Sequence, residues 1–254
     1  MPLAPGADEL LFLPLGGTGE VGMNVYLYGH DGRWLMVDCG VAFADERQPG
    51  VDILLPDVGF IAEQRDRLDG LVITHAHEDH VGAVPYLWDR LRCPVYATPF
   101  TCAVLRRKLE EFGLTGEVEV IELPVGERFQ VGGFDLEFIT MTHSIPEPNL
   151  LLIRTAAGNV VHTGDWKLDP DPLVGADYDR KRLAKLADDE VLALVGDSTN
   201  ALVPGHSGSE VQVRDSLMNL VSTLKNRVAL TCFATNVARL ETAARVAEAN
   251  GRRL

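Results

Sequence analysis

Residues 74–82 read Thr-His-Ala-His-Glu-Asp-His-Val-Gly and close an apolar run that begins at Gly70. Three histidines and an aspartate fall between positions 75 and 80, whereas the chain before them holds one other histidine, His30. An apolar strand that delivers such a cluster must sit inside a sheet, with its end opening onto a polar site. Alternation puts His75 and His77 on one side of the chain as it leaves the strand, so both imidazoles can reach one metal ion. The turn into the following helix swings Asp79 and His80 toward a neighbouring position. Two such ions, about 3.5–4 Å apart in known two-metal sites, can share a water.

Further ligands are expected at other strand ends. His143 in FITMTHSIPEP and Asp165 in VVHTGDWKLDP each follow a β-type run, and Asp165 is the natural bridging carboxylate. Asp38, at the end of WLMVD, either orients a ligand or is an ordinary turn residue before Cys39-Gly40. His30 reads as an exposed hairpin-turn residue, His162 as a core hydrogen-bonding residue and His206 as a surface residue.

Around this motif the pattern predicts strands at Leu10–Leu15, Val25–Tyr28, Trp34–Val37 and Gly70–Thr74. More are expected at Val118–Glu122, Arg128–Val131, Phe134–Thr140, Leu150–Thr155 and Val160–Thr163. Helices are expected near Pro56–Arg65, at Val81–Leu91 and at Pro99–Phe112 with Gly113 as its stop. Two successive sets of strands broken by helices suggest two sheets flanked by helices. After Asp197 the texture changes. A capping box at Ser207–Glu210 opens a helix to about Leu224, Val228–Cys232 reads as a strand, and Asn236–Asn250 as a helix capped by Gly251.

Gly17–Gly22, GTGEVG, matches the G-x-G-x-x-G fingerprint letter for letter. The fingerprint has meaning only where the last glycine opens a helix that receives a pyrophosphate. The residues after Gly22 alternate as a hairpin, so a dinucleotide turn is excluded, and a loop that lets backbone approach closely takes its place.

The formal net charge of −14 argues against a generic nucleic-acid binder unless local cations reverse the field. Arg90, Arg92, Arg106, Arg107 and Lys108 form either a basic patch or solvated helix faces. The four cysteines make no C-x-x-C pair and read as buried, reduced thiols. No apolar run reaches membrane-spanning length, and Asp8 and Glu9 stand where a secretory signal carries basic residues. A cytoplasmic location is expected.

Taken in order, LPLGGTGEVGMN, THAHEDHVGAVPYL, THSIPEP, HTGDWKLDPDP, GDSTNA and FATNVARL resemble the ribonuclease J family. Its metallo-β-lactamase fold, an αββα four-layer sandwich, carries an inserted β-CASP α/β domain. The resemblance implies a metallo-β-lactamase portion over residues 1–200 and the beginning of the β-CASP domain over 201–254. It implies two Zn2+ ions, the first on His75, His77 and His143, the second on Asp79 and His80, with Asp165 bridging. Asp79, Asp165, Asp38 and Asp197 would be the catalytic carboxylates, Asp197 supporting a histidine further along the family's sequence. Gly196 stands where the family pattern has Cys, and Thr235 where it has Ser.

Two later β-CASP histidines of the family have no counterpart, which leaves the second zinc site incomplete and suggests the front portion of a longer enzyme. The implied activity is hydrolysis of RNA phosphodiesters, both endonucleolytic and 5′–3′ exonucleolytic, in RNA processing and decay. RNA is the implied substrate, with no membrane partner, and homo-oligomers would form through parts absent from this chain. Two other readings are a hydrolase of a small ester or thioester on the same zinc pair, and a catalytically silent fragment.

Overall fold

A computed structural model describes residues 3–254. The first sheet contains β1 (Leu11–Gly16), β2 (Val25–His30), β3 (Arg33–Val37), β6 (Leu68–Val72), β7 (Val95–Ala97) and β8 (Val120–Glu122), adjacent in that order. A small hairpin, β4 (Ala42–Phe43) with β5 (Ile53–Leu54), stands apart. The second sheet runs β13 (Val191–Val195), β12 (Gly158–His162), β11 (Asn149–Thr155), β10 (Phe134–Thr140) and β9 (Arg128–Val131). The helices are α1 (Gly59–Ala62), α2 (Glu78–Val81), α3 (Val84–Leu91), α4 (Pro99–Glu111), α5 (Arg180–Ala184), α6 (Glu210–Thr223) and α7 (Val237–Ala249).

Strand alternation builds the layers. On β2, Val25 and Leu27 join Trp34, Met36 and Ile73 under Leu87 and Trp88 of α3 and Leu105 of α4. Tyr26 and Tyr28 face the other way and meet Phe134, Phe138, Leu151 and Val160 of the second sheet. The outer face of that sheet, Met141, Leu150, Leu152 and Val161, is covered by Tyr178, Leu183 and Leu186. The result is the expected αββα four-layer sandwich with a thin fourth layer. Because β2 is covered on both faces, all six of its residues are buried.

Direction matters more than order for the site. β3 is parallel to β6, and β12 to β13. β10 and β12 are each antiparallel to β11, so they share a direction. The loops after β3, β6, β10, β12 and β13, which carry the predicted ligands and supporting carboxylates, therefore leave their sheets at matching ends.

Several expectations need correction. The helix expected at Pro56–Arg65 shrinks to α1 and a 3-10 turn at Arg65–Arg67, and that at Val81–Leu91 is two helices, α2 and α3, separated at Gly82–Ala83. The capping box is formed by Ser209 and Gln212, not by Ser207 and Glu210. Val228–Cys232 forms no strand, because no strand lies beside it to complete a ladder among the described residues; Cys232 is consequently exposed. β13, the apolar run VLALV not named among the expected strands, pairs with β12 instead. His30 is buried, not exposed, since its Nδ1–H donates to the Glu9 carbonyl at 2.9 Å and its ring packs on Phe134. Among the described residues no helix is long and apolar enough to cross a membrane.

Candidate metal centre

GTGEVG occupies the β1–β2 connection, with Gly17, Gly19 and Gly22 at positive φ and no helix after it. It forms one wall of a cleft of about 620 Å³; Asp165 and the Gly196–Thr199 turn form another, with Asp79 and His80 between. Glu20, Asp79, Asp165 and Asp197 line this cleft, and among the described residues no lysine or arginine does. Left to side chains alone, such a cleft repels a phosphate. The five basic residues flagged in the sequence lie outside this cleft, and each has a carboxylate within 4.0 Å: Arg90 has Asp57, Arg92 Asp89, Arg106 Glu122, Arg107 Glu111 and Lys108 Glu78.

Two groups of ligand atoms converge here. One nitrogen from each of His75, His77 and His143 and one oxygen of Asp165 lie within 4.8 Å of one another, as do atoms of Asp79, His80 and Asp165. Asp165 belongs to both groups: its Oδ1 is 3.2 Å from His80 Nε2 and its Oδ2 3.7 Å from His143 Nε2. Asp38 and Asp197 stand outside these groups.

Asp38 lies directly after β3 with φ of 60°, a left-handed conformation that asparagine and aspartate tolerate best. Its Oδ1 accepts from the Thr74 N–H at 2.8 Å, and its Oδ2 from the Thr74 hydroxyl at 2.9 Å and from His80 Nδ1–H at 2.7 Å. Because Thr74 spends its only hydroxyl proton on that carboxylate, its oxygen accepts from His75 Nδ1–H at 3.0 Å. We assign both tautomers from this network, which turns the Nε2 atoms of His75 and His80 toward the centre. His77 presents Nδ1 to His75 Nε2 at 3.1 Å, while its Nε2–H donates to the Ser144 hydroxyl at 3.2 Å.

Burial, reinforced by the neighbouring imidazoles, pushes His75 well below its ordinary pKa and His77 down to about 3. Burial also lowers His143. Neutral imidazoles are the form that binds metal. Burial would depress His80 too, but the carboxylates of Asp38 and Asp165 outweigh it and hold that group well above its ordinary range. Asp165 is opposed by burial yet brought down to about 2, chiefly by His80. Burial raises Asp79. The neutral nitrogens of His75, His77 and His143 beside the ionised Asp165 are a donor set suited to divalent cations of borderline softness.

The backbone fixes these side chains from behind. Cys39 N donates to His80 O, Val41 N to Glu78 O, and Asn24 N to Asp79 O. Ala238 N, in α7, donates to Ser144 O beside His143, which brings the FATNVARL segment against the centre. Asp197 forms a local turn, its Oδ1 accepting from Thr199 N and Oγ1 at 2.8 and 2.6 Å. His162 is buried and paired through Nδ1 with the Tyr28 hydroxyl at 3.0 Å, the core hydrogen bond expected of it. Sequence reasoning missed Thr74, Asn24, Tyr26 and Ser144. Thr74 was within sight, since it stands between the strand and the first ligand.

The sequence profile described as "Metallo-beta-lactamase superfamily" matches residues 18–206. A ribonuclease J of Sinorhizobium meliloti is 50% identical over 250 residues, covering 96% of this chain and 44% of that protein. A ribonuclease J of Thermus thermophilus is 38% identical over 97% of this chain and 44% of its own length. The chain thus spans somewhat under half the length of these curated relatives. A crystal structure of a protein of unknown function from Enterococcus faecalis aligns with 94% of this chain and 63% of its own, at TM-score 0.61 and 18% identity, a likeness of fold.

Proposed function

The chain belongs to the metallo-beta-lactamase superfamily, and from that premise we propose that it carries the metal-binding part of a zinc-dependent ribonuclease of the ribonuclease J type. The observation that carries the reading is the pair of ligand groups meeting at Asp165. The similarity to ribonuclease J along 96% of the chain supports RNA over a small ester or thioester as substrate. Endonucleolytic and 5′–3′ exonucleolytic cleavage in RNA processing and decay belong to the same proposal. So do a cytoplasmic site of action, which suits four free cysteines, and homo-oligomerisation, which rests on the family resemblance. Residues 1–200 would be the metallo-β-lactamase portion and 201–254 the start of a β-CASP unit.

In this reading His75, His77, His143 and Asp165 would hold one zinc ion, and Asp79, His80 and Asp165 the other. Bound there, the ions supply Lewis acidity toward water and a phosphoryl oxygen. The chain's own groups prepare the rest. Asp38 keeps a proton on His80 Nδ1 and Thr74 keeps one on His75 Nδ1, so Nε2 is the atom that each imidazole, once neutral, turns to the centre. The cleft's acidic lining excludes phosphate from everywhere except the cation positions. Thr18 and Ser198 line the same cleft and offer hydroxyls to sugar and phosphate oxygens.

The test measures zinc content of the purified chain. It then measures cleavage of 5′-monophosphorylated RNA, beside hydrolysis of a thioester, by the chain joined to the remaining length of the Sinorhizobium meliloti relative. Bound zinc and RNA cleavage that disappears in His77→Ala are expected. Thioester turnover with intact RNA would overturn the proposal.

A further inference from the structure

Asn24 lies two residues beyond the glycine-rich loop and stands one position before β2. It closes the LPLGGTGEVGMN stretch, and its backbone N–H and its side-chain Nδ2 both engage the Asp79–His80 side of the centre. Its backbone N–H donates to Asp79 O at 2.9 Å, and its own carbonyl accepts from Gly40 N at 3.1 Å. Its side-chain Nδ2 donates to Asp79 Oδ2 at 3.3 Å and lies 3.1 Å from His80 Nε2. A carboxylate has no proton to give, so the amide atom facing Asp79 must be the nitrogen.

The opposite end of the amide is held as firmly. Tyr26, buried in the face between the two sheets, donates its hydroxyl to Asn24 Oδ1 at 2.8 Å, and the same hydroxyl lies 3.2 Å from the Gly17 carbonyl. The Tyr26 ring is packed between Phe12 and His162, with centroids 5.8 and 4.9 Å away. A rigid, packed ring therefore dictates which way the amide points, and the amide dictates where Asp79 holds its carboxylate. An ionised carboxylate has about four lone-pair sites, so this bond leaves room for a cation on Asp79.

We propose that Asn24, anchored by Tyr26, is the positioning residue of the Asp79–His80–Asp165 half of the centre. The inference rests on the metal-centre reading. It assigns a purpose to the glycine-rich connection: the loop brings Asn24 and Gly17 to the rim, where one donates to Asp79 and the other stands beside the Tyr26 hydroxyl. The two halves of the centre are thereby unequal in support. His75 is fixed by Thr74 and His77 by Ser144, with no contribution from Asn24, whereas Asp79 depends on it.

The test is a zinc titration of the chain joined to the remaining length of the Sinorhizobium meliloti relative, read histidine by histidine from the imidazole 15N shifts, in wild type, Asn24→Ala and Tyr26→Phe, with thermal melting of each. In Asn24→Ala the His80 midpoint is expected to move to at least tenfold higher zinc, while those of His75, His77 and His143 stay within twofold. Tyr26→Phe, which removes one hydroxyl and keeps the ring, should move His80 alone by about three- to tenfold. A His80 midpoint unchanged within twofold in both variants overturns the inference, as does a parallel shift of all four histidines. Should Asn24→Ala fail to fold, the tyrosine variant carries the same decision. If no histidine of the wild-type chain responds to zinc, the metal-centre reading itself is at fault.

Discussion

Asp38 Oδ2 lies 2.7 Å from His80 Nδ1, and neither side chain is open to solvent. The pair dictates which imidazole nitrogen faces the centre, because a carboxylate can only accept. Asp38→Asn keeps the shape and suits the left-handed backbone, but its amide nitrogen can donate to His80 Nδ1 and force the proton onto Nε2. The fold should lose about 1.5–3 kcal/mol, the range for a hydrogen bond to a charged group. Zinc affinity at His80 should fall about 10–100-fold, as other supporting carboxylates do when removed. Calorimetric zinc titration with thermal melting checks both; unchanged affinity would remove Asp38 from the machinery.

Gly40 shows how tightly the backbone is drawn in behind Asp79. A Cβ at Gly40 would run into the Asp79 carbonyl and sit 2.6 Å from His80 N, with no flexible side chain to yield. Gly40→Ala should therefore destabilise by about 3 kcal/mol or more, as overpacking against rigid neighbours does. It should also abolish zinc binding at His80. Gly133→Ala, where a Cβ meets nothing within 4 Å, is the control and should stay within about 0.5 kcal/mol of wild type. Equal melting temperatures for the two variants would contradict this account.

How much of the fold and the centre is legible in the sequence depends on where each residue gets its role. His75, His77, His143 and Asp165 announce themselves because each follows an apolar run, and strand direction then carries them to matching ends. Asp38 is visible as a strand-end acid, but its choice between turn and support depends on Thr74 and His80, which only the folded chain brings near. Asn24 closes the LPLGGTGEVGMN stretch, but its contacts and those of Tyr26 are illegible, since their partners are 55 and 9 residues away. His30 misleads because local sequence cannot show that Glu9 folds over the hairpin. Val228–Cys232 has strand propensity but no neighbouring strand, and propensity without a ladder does not decide.

The loop that carries His143 is pinned to a helix. Glu147, at φ of 56°, accepts from Phe100 N at 2.8 Å in the first turn of α4, whose N-cap Thr98 makes no side-chain capping bond. The carboxylate thus caps α4 from across the fold and complements its dipole. Glu147→Ala should lose about 0.5–2 kcal/mol and weaken zinc at His143 several-fold, while Glu147→Gln, which keeps an acceptor, should lose less. Melting curves and His143 15N shifts report the two effects separately. Equal losses in both variants would mean that the bond to Phe100 is immaterial.

The thin fourth layer is held by charge, and its contribution should vanish in acid. Glu137 on β10 receives Arg182 and Arg154, and Arg182 also reaches Asp189 at 2.7 Å. The bond from Arg182 lowers the Glu137 pKa, burial opposes it, and Arg154 lowers it further. A carboxyl depressed on folding stabilises fully above its unfolded value, about 4.3 for glutamate, and that stabilisation is lost as pH falls through the folded value. Glu137→Gln should therefore be less stable than wild type by about 1–3 kcal/mol at pH 7, since two part-buried guanidinium bonds weaken. The gap should close as pH drops below 4, because wild-type Glu137 then carries a proton as well. Urea unfolding of both proteins between pH 3 and pH 7 measures it, and a gap that stays constant across that range would show that shape, not charge, holds this layer.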